Sequence, residues 1–236
     1  MKNNELETQN ELQDESLFKA RLGRRSFLQF AGAGAAGVAL VAAGCRKDRM
    51  TTIPSGTGTT LDFKDDFGVL NYAYALEQLE AAFYIQVASN PPSAFSPAER
   101  AYFQDIQFHE IAHREFFKNA LGNNAIGSLE VDFSSITFSD RSSVLGAAKA
   151  FEDLGVAAYN GAGVRIQTDA YLVLAGKIVS VEARHAAYIR DLITPGSFSG
   201  SDVTDPTTGL DKAFTPDVVL AAAGKYIKTK INVINL

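Results

Sequence analysis

Two Glu-x-x-His pairs are the part of this sequence that most clearly indicates chemistry. Glu110 and His113 form the first pair, and Glu182 and His185 form the second. A spacing of three places both side chains of a pair on one face of a helix, about one turn apart. Both pairs interrupt apolar stripes of 3-4 spacing, which face the core of a helical bundle. Burying a carboxylate and an imidazole is costly unless something neutralises and coordinates them, so the pairs predict metal ligands.

Each pair is preceded along the chain by a segment that carries one glutamate and, seven residues later, a tyrosine. Glu77 and Tyr84 lie in EQLEAAFY, and Glu152 and Tyr159 lie in EDLGVAAY. Two such halves related by a two-fold axis would bring four carboxylates and two imidazoles to the centre of the bundle. A single Glu-x-x-His is more often a surface pair. The repetition on predicted core faces favours a dinuclear metal site.

Four long helices are needed to position these residues, and the sequence predicts where they begin and end. The first runs from about 66 to 88 and stops at Asn90-Pro91-Pro92. The second begins at the capping box Ser96-Pro97-Ala98-Glu99 and ends at Leu121-Gly122-Asn123. The third and fourth are predicted at about 142–161 and 168–193.

The connections between these helices predict the fold class. Residues 123–140 alternate apolar and polar side chains, but the chain has no matching strands for a hairpin, so we interpret them as a long crossover along the bundle. A shorter fifth helix is predicted after Thr215-Pro216-Asp217. One long link between the second and third helices is typical of an all-α, ferritin-like antiparallel four-helix bundle.

Residues 1–45 are predicted to be an export signal. The run Gly23-Arg24-Arg25-Ser26-Phe27-Leu28-Gln29 precedes an Ala/Gly-rich stretch that ends at Gly44. Paired arginines before a weakly hydrophobic core resemble a twin-arginine signal, which implies a periplasmic or cell-envelope location. The alternative is a permanent membrane anchor, because the stretch is about long enough to span a bilayer.

The segment Leu40-Val41-Ala42-Ala43-Gly44-Cys45 resembles a bacterial lipoprotein box, with Cys45 as the lipidated residue. Lipidation would anchor the protein to a membrane, whereas the alternative is an incidental cysteine after an ordinary cleavage site. Residues 46–61 are polar and rich in Gly and Thr, so we expect a flexible tether before a folded domain at 62–236. Because Cys45 is the only cysteine, the chain can form neither an internal disulfide nor a cysteine-based metal site.

Composition excludes some classes of function. With 46% hydrophobic residues, a chain of 236 residues suits one domain with a sizeable core. The net charge of −5 and the lack of a basic patch argue against a nucleic-acid partner. Of the three histidines, two belong to the Glu-x-x-His pairs. The third, His109, lies off the apolar stripe, and we interpret it as a boundary or surface residue.

The EQLEAAFY, HEIAH, EDLGVAAY and VEARH segments, with a closing Thr-Pro-Asp-Val-Val helix, resemble the ferritin-like domain family over about residues 62–230. The similarity is strongest to its desiccation-related branch, whose members often carry twin-arginine signals. This resemblance implies two iron or two manganese ions, with Glu110 and Glu182 as bridging carboxylates. The full ligand set that it implies is Glu77, Glu110, His113, Glu152, Glu182 and His185.

The two tyrosines lie two turns beyond their glutamates on the same helix face. From there, the hydroxyls of Tyr84 and Tyr159 could orient a ligand carboxylate, although an ordinary buried tyrosine is the alternative.

Glu80 also faces the predicted core, but its counterpart in the second half of the chain is Gly155. We expect Glu80 to be an auxiliary ligand. The alternatives are that it replaces Glu77 as the ligand from the first helix, or that it pairs with Arg165 or Arg184.

The resemblance and the donor set together imply a di-metal oxidoreductase that acts on peroxide or O2, with catalase-like and ferroxidase chemistry both compatible. The alternative is a non-enzymatic stress- or desiccation-protection protein with a structural or vestigial metal site. Metal storage would need a closed shell of chains, which a lipid anchor at Cys45 would hinder. A homo-oligomer is compatible with the sequence, and any reductant would have to come from another molecule.

Overall fold

The computed structural model describes residues 58–236. The predicted signal at 1–45, with Cys45, and the predicted tether up to residue 57 lie outside the described residues. The described part contains four long helices, a short fifth helix and two short strands. In the described range, no helix is both long and apolar enough to cross a bilayer. The elements are β1 (Thr59–Asp62), α1 (Asp66–Ser89), α2 (Pro97–Leu121), α3 (Arg141–Gly163), α4 (Asp169–Ile193), α5 (Pro216–Ala223) and β2 (Ile231–Ile234).

The predicted all-α bundle is confirmed, and the long helices begin where their capping residues indicate. Asp65 caps α1, and Asp140 caps α3. Ser96 and Glu99 form both hydrogen bonds of the predicted capping box of α2. The carboxylate of Asp66 accepts hydrogen bonds from the backbone N–H groups of the two residues before α4. The start of the first helix therefore also fixes the start of the fourth.

The central element is α1, in which 17 of 24 residues are buried. It packs chiefly against α2 and also contacts α3, while α3 packs chiefly against α4. On the other side, α2 neighbours α4, since the Tyr102 and Tyr188 rings lie 4.4 Å apart. Because α1 is apolar on nearly all sides, its few buried polar residues need partners from the surrounding elements.

The crossover between α2 and α3 packs along the bundle, as predicted. The side-chain amide oxygen of Asn71 accepts from the N–H of Ile126 at 2.8 Å, and that of Gln78 accepts from the N–H of Leu129 at 2.9 Å. Farther along, two phenylalanines of the crossover contact the buried ring of Phe83. Polar side chains of α1 thus hold the backbone of the crossover, and its apolar side chains complete the core.

The parallel pair β1–β2 was not predicted. It joins Thr59 to Ile231 and Asp62 to Ile234. The predicted tether therefore ends earlier than expected, because residues 59–61 belong to the folded part. A strand of four residues is too short for its alternation to be distinctive, and its partner lies at the far end of the chain. Gly58 allows the close approach, since a Cβ there would lie 2.3 Å from the carbonyl oxygen of Lys230.

Candidate metal centre

Six side chains from the four long helices meet in the middle of the bundle, and they are the six predicted as metal ligands. The i, i+3 spacing within α2 and within α4 turns each glutamate and histidine toward the same interior point. All four glutamates are 0% exposed, and one histidine is 5% exposed. The structure brings together Glu77 from α1, Glu110 and His113 from α2, Glu152 from α3, and Glu182 and His185 from α4.

The first group of donor atoms surrounds His113. Its Nδ1 lies 2.7 Å from Oε1 of Glu182, 3.6 Å from Oε2 of Glu77 and 3.9 Å from Oε2 of Glu110. One donor atom from each of these four residues lies within 4.8 Å of all the others. Three carboxylate oxygens and one imidazole nitrogen at this separation could hold a metal ion.

The second group surrounds His185 in the same way. Its Nδ1 lies 3.0 Å from Oε1 of Glu110, 3.4 Å from Oε2 of Glu152 and 3.6 Å from Oε2 of Glu182. The donor atoms of this group also lie within 4.8 Å of one another.

The two groups share Glu110 and Glu182. Glu110 directs Oε2 to the first group and Oε1 to the second, and Glu182 directs Oε1 to the first and Oε2 to the second. Each of these carboxylates therefore offers one oxygen to each of two adjacent positions, as a bridging ligand does. Glu77 and Glu152 each belong to one group only.

The atoms that face the interior of the two groups lack hydrogen-bond partners. Some of these oxygen and nitrogen atoms lie within 3.0 Å of each other, but none of them has a partner with the geometry of a hydrogen bond. Buried polar atoms are nearly always satisfied, so a cluster of orphaned donors at one point fits ligands for cations. These atoms are Oε2 of Glu77 and of Glu152, both carboxylate oxygens of Glu110 and of Glu182, and Nδ1 of His113 and of His185.

Electrostatics show how much positive charge the cluster attracts. Burial raises the pKa of Glu110 well above its usual value, and the neighbouring Glu182 raises it further. Burial also raises the pKa of Glu152 to about 7, against the opposing influence of His185. Burial alone would lower the pKa of His113, but the carboxylates beside it outweigh that effect and raise its pKa to about 9. Without a bound cation, protons supply the positive charge that the buried carboxylates attract.

The two predicted tyrosines hold the carboxylates that belong to one group each. The hydroxyl of Tyr84 on α1 donates to Oε1 of Glu152 on α3, and the hydroxyl of Tyr159 on α3 donates to Oε1 of Glu77 on α1. The bonds therefore cross between the two halves of the chain. In each glutamate, the tyrosine engages Oε1, which leaves Oε2 directed into a donor group.

The structure leaves Glu80 outside both donor groups. It is only 4% exposed, and burial raises the pKa of its carboxyl well above the usual value, with Glu110 and Glu182 adding to the effect. Its Oε1 lies against Gly155, where an added Cβ would be 3.1 Å away. Neither Arg165 nor Arg184 forms an ion pair with Glu80. The side chain of Arg184 instead donates a hydrogen bond to the backbone carbonyl of Ser180. Glu77 occupies the place of the α1 donor instead.

His109 is the residue whose contact the sequence did not predict. It is exposed, as expected, but its Nδ1 lies 2.9 Å from Nε2 of His185. A usable signal was present, because position 109 flanks the apolar stripe of α2 on one side. In a bundle such flanking positions face a neighbouring helix, and here that helix is α4.

Comparison with known proteins agrees with this geometry. A family model described as a ferritin-like domain matches residues 65–195, a range that contains α1 to α4 and therefore all six donors. A search of the curated proteins finds no match. Because the matched range spans more than half of the chain and ends with the bundle, the chain belongs to the family of proteins with a ferritin-like domain.

Proposed function

We propose that this protein binds two iron or two manganese ions in the bundle and uses them for redox chemistry on peroxide or O2. The observation that carries the proposal is the sharing of Glu110 and Glu182 between two adjacent donor groups. Each group adds one carboxylate and one imidazole of its own, so the two positions have equivalent ligand types. A site for a single ion would not need two carboxylates that each point one oxygen to either side.

The donor types favour iron or manganese. Carboxylate oxygens with one imidazole per ion suit these metals, whereas sites rich in thiolate suit zinc or copper. Four carboxylates formally neutralise two divalent ions, which makes burial of the pair tolerable. When bound, such ions supply electrons by changing oxidation state and can accept a small oxygen species at an open coordination position.

The residues of the chain itself favour a small oxidant. The donors are closed off from solvent on the α1 side, where Tyr84 and Tyr159 fix the carboxylates and helices pack tightly. An apolar cavity is lined by Leu70, Ala73, Phe117 and Tyr159, of which Ala73 and Phe117 lie one helical turn from Glu77 and His113 on the same helices. Such a lining suits an uncharged molecule of the size of peroxide or O2.

The proposal includes a location outside the cytoplasm. It rests on the paired Arg24 and Arg25 before an Ala/Gly-rich stretch and on Cys45 at the end of a lipoprotein-like box, all of which lie outside the described residues. In that location electrons would come from another molecule, because the chain carries no cysteine cluster for electron transfer.

Elemental analysis of the full-length protein, purified without chelator, tests the proposal. We expect two iron or manganese ions per chain, none after Glu110→Ala, and about one after Glu77→Ala, because Glu110 belongs to both donor groups whereas Glu77 belongs to one. Glu130→Ala, which changes an exposed glutamate outside the cluster, is the matched control. The loaded protein should then consume peroxide, or oxidise Fe(II) with O2.

Two results would contradict the proposal at different levels. A folded protein that takes up no iron or manganese would refute the metal centre. Full occupancy without turnover of peroxide or Fe(II) would leave the metal centre in place and favour a structural ion in a stress-protection protein.

A further inference from the structure

We propose that His109 is a positioning residue that orients His185 toward the second metal position and makes the two positions unequal in affinity. The inference rests on the metal centre proposed above. It adds a residue outside the six donors and a difference between the two positions.

The contact between the two histidines fixes which nitrogen of His185 faces the centre. Nδ1 of His185 lies 3.0 Å from Oε1 of Glu110, whereas Nε2 lies 2.9 Å from Nδ1 of His109. An imidazole binds a metal ion through a nitrogen that carries no proton. With Nδ1 on the ion, the proton of neutral His185 is on Nε2, which donates to Nδ1 of His109.

The rings meet in a geometry that suits this hydrogen bond. Their planes are inclined by only 7°, and their centroids are 5.1 Å apart. Because the centroids are much farther apart than the two nitrogens, the rings meet edge to edge in nearly one plane rather than face to face. The proton of His185 then points along the lone pair of the acceptor, and His185 loses freedom of rotation about its last side-chain bond.

The other half of the chain lacks this arrangement. His109 immediately precedes Glu110, and the residue that immediately precedes Glu182 is Val181. The side chain of valine has no group that can accept a hydrogen bond, and no histidine in the described chain is left to support His113. The two positions therefore match in their direct donors but differ in what holds the imidazole. Hydrogen-bond partners behind a ligand contribute about 10- to 100-fold in metal affinity.

The test is a titration of the metal-free, full-length protein with Co²⁺, in which binding is measured by calorimetry and by visible absorption. The unmodified protein should bind two Co²⁺ ions in unequal steps. His109→Phe keeps a flat ring but removes the acceptor, so the tighter step should weaken by about 10- to 100-fold while the weaker step is unchanged. His109→Asn places an amide oxygen near the position of Nδ1 and should recover most of the affinity. Gln104→Phe, at an exposed position of α2, is the control for an added ring.

A second readout reports on the hydrogen bond directly. In ¹H–¹⁵N spectra of the Zn²⁺-loaded protein, the proton of His185 should be on Nε2 in the unmodified protein and in His109→Asn. In His109→Phe, this proton should exchange faster with solvent. This readout would not respond to a purely structural role of His109, and the spectrum of the unmodified protein is informative even where a variant folds poorly.

The outcomes separate this inference from the metal centre. No uptake of Co²⁺ by the unmodified protein would overturn both. Two bound ions with the same two affinities in His109→Phe, or an equal weakening of both steps, would overturn only the role of His109. So would a Zn²⁺-loaded protein in which the proton of His185 is on Nδ1.

Discussion

The buried carboxylates should destabilise the protein when no cation is bound, and Glu152→Gln measures that cost. Glu152 is fully buried, and burial raises its pKa from 4.5 to about 7 in spite of the nearby His185. A rise of this size corresponds to about 3 kcal/mol. At pH 8 the carboxylate is ionised in both the folded and the unfolded chain, so the folded state carries the whole cost.

Glutamine removes this charge with little change of shape. Its amide oxygen can still accept the hydrogen bond from Tyr84, and His185 keeps the carboxylates of Glu110 and Glu182 beside it. We therefore expect the metal-free variant to gain about 2–3 kcal/mol at pH 8. At pH 5 it should gain little, because Glu152 is then already protonated in the folded protein. A gain of that size would raise Tm by roughly 5–10 °C for a domain of this length.

Thermal unfolding of the chelator-treated, full-length protein at pH 5 and pH 8, monitored by circular dichroism, measures the difference in stability between the variant and the unmodified protein. Glu130→Gln, at an exposed position, controls for the change to an amide. With Mn²⁺ present the unmodified protein should be the more stable of the two, because only it keeps a complete second donor group and gains stability from binding the ion there. A variant no more stable than the unmodified protein at pH 8, or equally stabilised at both pH values, would refute the reasoning.

Three further predictions concern the donors and the residues around them. Tyr84→Phe removes the hydroxyl that donates to Glu152 and should lower the free energy of unfolding of the metal-free protein by about 1.5–3 kcal/mol in urea; no loss would contradict the role of that bond. Because the pKa values of Glu152 and His113 are raised in the folded state, the folded protein holds more protons than the unfolded chain between about pH 5 and pH 9. The free energy of unfolding of the metal-free protein should therefore fall as pH rises through this range, by up to about 1.4 kcal/mol per pH unit for each group. A flat profile of urea midpoints against pH would contradict this. Gly155→Ala places a Cβ 3.1 Å from Oε1 of Glu80, which opposes the gain of about 1 kcal/mol that alanine otherwise brings to a helix interior. The substitution should therefore raise Tm more in a Glu80→Ala background than in the unmodified protein, and an equal effect in both would contradict the contact.

The helices and the donor set could be predicted because their signals are local and repeated. The prolines after Asn90 and the capping box at Ser96 mark helix ends by a few neighbouring residues, and α1 ends and α2 begins where they indicate. The two Glu-x-x-His pairs show their relation through spacing alone, with no need to know how the helices are arranged. A bundle with short links inside each half then leaves few ways to bring the pairs together.

The contacts that escaped prediction depend on positions far apart in the chain. The pairing of Thr59 with Ile231 joins two strands of four residues, neither of which is distinctive by itself. The bond between His109 and His185 depends on how α2 and α4 are rotated about their own axes, and a rotation of a few tens of degrees would remove it. The crossed bonds of the tyrosines depend in the same way on the distance between α1 and α3.

The departures from the two-fold repeat are the places where the two proposed metal positions can acquire different properties. The six donors obey the repeat, so by themselves they would hold two equivalent ions. The repeat is broken at Glu80, which faces Gly155, and at His109, whose counterpart is Val181. Neither break alters a donor, so each must act on the centre through a neighbour: His109 through a hydrogen bond, and Glu80 through the charge and space beside the shared carboxylates. Variants at these two sites should therefore shift the relative affinities of the positions while both ions remain bound, which substitutions of the donors cannot do.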